Sequence, residues 1–311
     1  MTSPLLFLLA LCASLLSLTS AQTSLVFNRS WQPCGTFDRV LGGIPEADPV
    51  DDCTNPEQEA AIRQAFNDAV VLAANARDGM RNGPRPHVWA YYDRVFKHAT
   101  TPGATYSWRK VAHLRPSSPP NEIPNEIIFH CGDRWHAAVA RRATNYGVTG
   151  DASSPQSGLG AHVCEASSGA FMSRIKSGTF PPDVFSDFGP QGAFRSGVHI
   201  TICPHFYDWP ALNNIRTVTE NLEFAHQNNQ AWFMLHEMMH AYSESILDAG
   251  YGHAGIVNVS DRILPPDRLH ITPLTNADTW AIFAMVISPV GGMNLWDWTT
   301  GFAVRTPASP A

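Results

Sequence analysis

His236-Glu237-Met238-Met239-His240 sets two imidazoles four residues apart with a carboxylate beside the first. On a helix, His236 and His240 stand one turn apart on one face, and both rings reach a single Zn²⁺ at about 2.0–2.1 Å. Glu237 is then placed as general base toward a water on that ion, whose pKa such an ion lowers from roughly 15.7 to about 7. The chemistry implied is zinc-assisted hydrolysis of peptide bonds. Thirteen histidines in 311 residues make an accidental match rare, about 0.02 per chain. The flanks agree. Ala231-Trp232-Phe233-Met234-Leu235 and Ala241-Tyr242 make the helix apolar on several sides, as buried helices are. An unpaired polar group inside such a helix costs about 1–3 kcal/mol, and a metal satisfies His, Glu and His together.

Two imidazoles leave a third protein ligand to find. Metzincins carry Gly three and His six residues after the second histidine, and Ser243 and Ile246 occupy those positions. A glutamate from a later helix is excluded, because no Glu follows Glu244, and Glu244 itself lies one turn past His240. Asp248, Asp261, Asp267, Asp278, His253, His270 and Asp297 remain. Asp278 leads them, since it opens the apolar segment Asp278-Thr279-Trp280-Ala281-Ile282-Phe283-Ala284-Met285, which reads as a second buried helix. The competing reading is a first-turn carboxylate favoured by the helix dipole. His253 and His270 sit among Gly and Pro, as surface histidines do. Asp248 lies before Gly250, where hydration accounts for it.

The pair His236-Glu237-Met238-Met239-His240 and Asn276-Ala277-Asp278-Thr279-Trp280-Ala281-Ile282-Phe283-Ala284 resembles the aspzincin pattern of deuterolysins and peptidyl-Lys metalloendopeptidases. Ile200-Thr201-Ile202-Cys203-Pro204-His205-Phe206 is similar to the strand that precedes the zinc helix in secreted relatives. The likeness spans roughly residues 125 to 290. It implies one Zn²⁺ per chain held by His236, His240 and Asp278, with Glu237 as general base. It also implies a peptide or protein substrate lying extended along an edge strand. These enzymes usually carry a Tyr a few residues after the ligand Asp to bond the developing oxyanion. Trp280, Ala281 and Ile282 stand two to four residues after Asp278, so Tyr242, Tyr251 or the indole N–H of Trp280 is expected to substitute, or turnover to be slow. The alternative is a catalytically weak secreted zinc-binding or interaction protein on the same scaffold. A Lys-directed pocket would need an acidic residue, and Asp261 and Asp267 are among the candidates.

The rest of the chain fits a secreted protein. Pro4 to Leu18 is an apolar run ending in the small-residue site Thr19-Ser20-Ala21, which predicts a signal peptide over 1–21 and a mature start at Gln22. That run is short for a membrane span, so no stable membrane association is expected. Asn28-Arg29-Ser30 and Asn258-Val259-Ser260 are glycosylation sequons. A net charge of −6 gives no footprint for nucleic acid, and a monomer is expected. Cys34, Cys53, Cys131, Cys164 and Cys203 outlast the signal. In an oxidising compartment they predict two disulfides and one odd thiol, with Cys34–Cys53 one candidate pair.

The elements that must position the motif read as follows. Thr54-Asn55-Pro56-Glu57 combines a capping box with Pro at the first helical position. Ile62, Phe66, Ala69, Val70 and Ala73 continue it as a helical stripe toward a C-cap at Gly79. Residues 83–87 and 115–124 are Pro-rich loops. Glu126 to Cys131 and Val198 to Cys203 read as strands, and Trp135 to Asn145 as a helix. The expected fold is α+β and zincin-like, with the central His-Glu-x-x-His helix packed under a small mixed sheet. The expected organisation is a signal over 1–21, an extension over 22–124 with one long helix, a catalytic domain over 125–290 and a tail over 291–311.

Overall fold

The computed structural model describes residues 24–27, 55–97, 126–132, 164, 169–175, 197–242 and 246–306. The leader run, the Asn28 sequon, the Cys34–Cys53 pairing and the helix expected over 135–145 lie outside these residues. The architecture is α+β.

Four strands form one mixed sheet: β1 (Ser24–Phe27), β2 (Glu126–Cys131), β3 (Ala170–Ile175) and β4 (Gly197–Ile202), in the order β1-β2-β4-β3. The first three neighbours run parallel, and β3 closes the edge antiparallel to β4, with Ala170 opposite Ile202 and Ile175 opposite Gly197. Both expected strands are present within a residue of their predicted limits. Phe129, Ile200 and Ile202 are buried, and so are His130 and Thr201 on the opposite face, so the centre of the sheet is covered on both sides. Cys203, just past β4, is disulfide-bonded to Cys164.

The helices are α1 (Pro56–Arg81), α2 (Pro86–Phe96), α3 (Gln230–Tyr242), α4 (Gly252–Asp261) and α5 (Ala277–Ile287). Pro56 takes the first position of α1 as expected, but the cap is Asn55, whose side chain accepts from the Glu57 amide at 2.9 Å. Gly79 is not a C-cap: α1 continues to Arg81, and a Cβ at Gly79 would come within 2.6 Å of the Ile287 side chain. The missing side chain lets α1 and α5 approach. The supposed Pro-rich loop at 83–87 becomes helix at Pro86, because Pro is favourable at a first helical position.

A single hydrophobic core joins residues on both sides of position 125. Phe96 and Tyr92 of α2 pack edge-on against Phe283 of α5 at ring separations of 5.6 and 5.5 Å, and Phe96 meets Trp280 at 5.1 Å. Every residue of α5 is buried, as its uninterrupted apolar sequence demands. Arg94 of α2 grips Asp261 at the end of α4 through two hydrogen bonds of 2.8 and 3.0 Å, and Lys97 is a second partner. The two helices that lie between β1 and β2 in sequence therefore form the floor beneath α3, α4 and α5.

Phe283→Ala removes the ring shared by α2 and α5, and it should destabilise the chain by about 3–5 kcal/mol in urea unfolding. A loss below about 1 kcal/mol would show that α2 does not share this core.

Candidate metal centre

His236 and His240 lie on the face of α3 that turns inward, and both are buried. Helical spacing sets their rings edge to face with centres 5.0 Å apart, and each ring is fixed through Nδ1. His240 Nδ1 lies 2.9 Å from the Ile246 carbonyl, an acceptor only, so Nδ1 carries the proton. His236 Nδ1 lies 2.9 Å from Asp278 Oδ1 and donates to that carboxylate. Both Nε2 atoms therefore face the same point, 3.2 Å apart.

The third atom there belongs to Asp248. Its Oδ1 is 3.0 Å from His236 Nε2 and 3.0 Å from His240 Nε2. A tetrahedral ion with bonds near 2.0–2.1 Å holds its ligand atoms ~3.3 Å apart, close to this triangle. The donor set independently calls for a cation, because two imidazole lone pairs and a carboxylate oxygen repel one another unless positive charge lies between them. The His236, His240 and Asp248 group can thus hold a metal ion.

Asp278, the expected third ligand, stands on the other side of the His236 ring. Its Oδ1 accepts from Nδ1, and its Oδ2 accepts from the Gly252 amide at 2.5 Å, at the N-terminus of α4. This carboxylate orients a ligand and favours Nε2 as the metal-facing atom. Asp278 stands in the first turn of its own helix, as the second sequence reading had it, and it meets the far side of the His236 ring instead of joining the His236, His240 and Asp248 group.

Asn276, two residues earlier, holds Asp248. Its Oδ1 accepts from the amides of Ala249 (3.0 Å) and Gly250 (3.2 Å), while Nδ2 donates to the Gly250 carbonyl (3.1 Å) and to Thr279 Oγ1 (3.0 Å). Leu247 adds a bridge, donating to the Thr275 carbonyl and accepting from Ala277. Gly250 and Gly255 pack backbone to backbone, where a Cβ on either would collide with the other. Asn276-Ala277-Asp278 is therefore one brace with two arms: Asn276 fixes the Asp248 loop, and Asp278 fixes His236.

Glu237 is buried beside the triangle, and its negative charge bears on both His240 and Tyr251. Tyr251, the residue before α4, stacks on the His236 ring at 5.8 Å and 20°, where the charge of Asp248 bears on its hydroxyl. Burial of the hydroxyl and the carboxylates of Asp248 and Glu237 push its pKa up, so it is a phenol, not a phenolate. Trp280 does not serve the site: its indole N–H donates to the Leu274 carbonyl at 3.0 Å. Tyr242 closes α3, and its side chain lies outside the described residues. Asp261 is engaged by Arg94 and Lys97, Asp267 and His270 are exposed, and Asp297 accepts from the Thr299 amide, so none of these reaches the triangle.

Asp248 was among the sequence candidates but was set aside as a hydrated residue, Tyr251 was one of three possible donors, and Asn276 was given no role. The available signal was Gly250 and Gly252 around Tyr251: the first lets the loop after Asp248 pack backbone to backbone on Gly255, and the second takes the positive φ at the start of α4. No family model matches the chain, and no curated protein matches it. What fold and site define is an α+β protein with a buried His-His-Asp group able to hold a metal ion.

Two outcomes follow. Asp248→Ala should abolish stoichiometric metal binding, whereas Asp278→Asn should keep one ion per chain at an affinity 10–100-fold weaker, both read by competitive chelator titration. Equal losses from the two would place Asp278 among the ligands. The second outcome concerns the metal-free chain. Burial alone would lower the pKa of His236 and His240, but hydrogen bonds and charge from Asp248, joined at His236 by Asp278, outweigh it and raise both above the ordinary histidine value. A raised pKa stabilises the fold while the rings are protonated, and that stability disappears as pH climbs through the raised values. Metal-free protein should therefore melt at lower temperature as pH rises above about 6.5, and metal-loaded protein should not. The same melting temperature at every pH in the metal-free form would refute the coupling.

Proposed function

We propose that this chain is a secreted zinc-dependent endopeptidase of the aspzincin kind with a zincin-like fold. The observation that carries this reading is the convergence of His236 Nε2, His240 Nε2 and Asp248 Oδ1 on one point beside buried Glu237. His236, His240 and Asp248 hold the ion in this reading. Two nitrogens and one oxygen suit Zn²⁺ and leave a fourth position open. Zn²⁺ bound there supplies Lewis acidity toward the scissile carbonyl and toward a water.

The chain's own residues do the remaining work. Glu237 accepts a proton from the attacking water and passes it to the leaving amine. Tyr251, held as a phenol, donates a hydrogen bond to the oxyanion as it forms. With Asp248 as ligand, the tyrosine that aspzincins carry a few residues later is Tyr251, three positions on, and the departure noted after Asp278 disappears. Asp278 keeps His236 in the tautomer that presents Nε2. The antiparallel edge strand β3 packs against α3 and offers its outer edge to an extended peptide. Secretion is supported by the leader run and by the Cys164–Cys203 disulfide, a bond that persists in oxidising compartments. Among the described residues no helix is long and apolar enough to cross a membrane.

Mass-spectrometric mapping of cuts in a denatured protein mixture tests the reading. Wild-type chain should give chelator-sensitive cuts. Glu237→Gln should keep its metal and lose at least about 10² in kcat. Tyr251→Phe should lose about 10²–10³ in kcat with little change in KM. A metal-loaded wild type that makes no cuts would leave a metal-binding protein and defeat the peptidase assignment.

A further inference from the structure

We propose that Asn258 is an N-glycan acceptor, modified before α4 docks, and that its glycan stands beside the mouth of the metal site. The inference rests on the secretory reading above, since only that route meets the transferase. Asn258-Val259-Ser260 is one of two sequons in the chain, and the structure places it within α4. Asn258 is exposed, whereas Val259 and Ser260 are buried. In the transfer, the amide nitrogen of Asn258 bonds to C1 of the first sugar of a lipid-linked oligosaccharide. The C1–O bond to the lipid pyrophosphate breaks, the amide loses one proton, and lipid pyrophosphate departs.

The folded chain cannot present this sequon. Residues two apart on a helix do not share a face, so Asn258 and Ser260 point in different directions. Ser260 Oγ also donates to the Arg94 carbonyl of α2 at 2.9 Å, which takes the sequon hydroxyl out of reach. Modification must therefore occur while residues 252–261 are still extended. Once attached, the glycan meets no obstacle to folding, because the Asn258 side chain faces solvent on the finished helix.

Its position bears on the site. Tyr251, Ala254 and Asn258 are exposed at spacings of three and four, which is one face of the helix. Seven residues from Tyr251 to Asn258 correspond to about 10 Å along the axis. A glycan at Asn258 thus flanks the side from which Tyr251 faces solvent, and it obstructs a folded protein substrate more than a short peptide.

The test is translation of the full chain with microsomes, using Asn28→Gln to remove the other sequon. Expected are protection from added protease and one glycosidase-sensitive mass step, lost in the Asn28→Gln, Asn258→Gln double variant. Folded, unglycosylated chain given to detergent-opened microsomes, which expose the lumenal transferase, should stay unmodified, whereas the same chain unfolded should gain the mass step. A protected chain without the step overturns the acceptor, whereas an unprotected chain overturns the secretory reading and the acceptor with it. Modification of the folded chain would overturn the timing. Enzymatic removal of the glycan should raise kcat/KM on a folded protein substrate several-fold relative to a short peptide, and an unchanged ratio would move the glycan away from the mouth.

Discussion

Three electron-rich atoms, two imidazole nitrogens and a carboxylate oxygen, are held about 3 Å apart in a buried place. Left to themselves they repel, and low dielectric strengthens the repulsion. The surrounding structure exists to keep them together. Ile246 and Asp278 tie back the far nitrogens of the two rings, and Asn276 grips the loop bearing the carboxylate. An apolar helix with no exposed residue carries both arms of that brace, and its immobility follows from burial on every side. Positive charge at the centre, as metal or as protons, turns the repulsion into cohesion. That is why burial and hydrogen bonding cannot be separated from electrostatics here.

The aromatic packing beneath the centre has the same logic at longer range. Phe96, Tyr92, Phe283 and Trp280 bind α2 to α5. They therefore fix the depth at which Asn276 and Asp278 emerge. Trp280, which sequence reasoning assigned a donor role, instead spends its N–H on the loop carbonyl of Leu274 and its ring on the core. A polar tip on a large ring is ambiguous in sequence, because a core position also requires a partner for that tip.

Legibility followed periodicity and failed where the chain reverses. The strands at 126–131 and 197–202, the cap region at Asn55–Pro56 and the buried run from Asp278 were readable because alternation, capping and continuous hydrophobicity are local signals. So was the pairing of His236 with His240, whose helical spacing brings them together without help from elsewhere. Asp248 was not legible, since a loop decides where it points and its guide, Asn276, is 28 positions distant. Asp278 was selected for the right neighbourhood and given the wrong atom to touch. One-dimensional spacing brought it to the histidine but could not say which face of the ring it meets. Gly79 failed similarly: a glycine near a helix end suggests a cap, and only the third dimension reveals Ile287 pressed against it.

The brace lies late in the chain, and this imposes an order of events. When the ribosome has released α3, both histidines exist, yet nothing has turned their rings or captured Asp248. Ile246 can turn the His240 ring soon afterwards, but turning His236 and bracing the Asp248 loop fall to residues 278 and 276, which emerge some 40 positions after His240. Chains that stop short of α5 carry the signature pentapeptide without an organised centre. The capacity to gather a metal-holding group is thereby a property of the finished molecule and not of the pentapeptide alone.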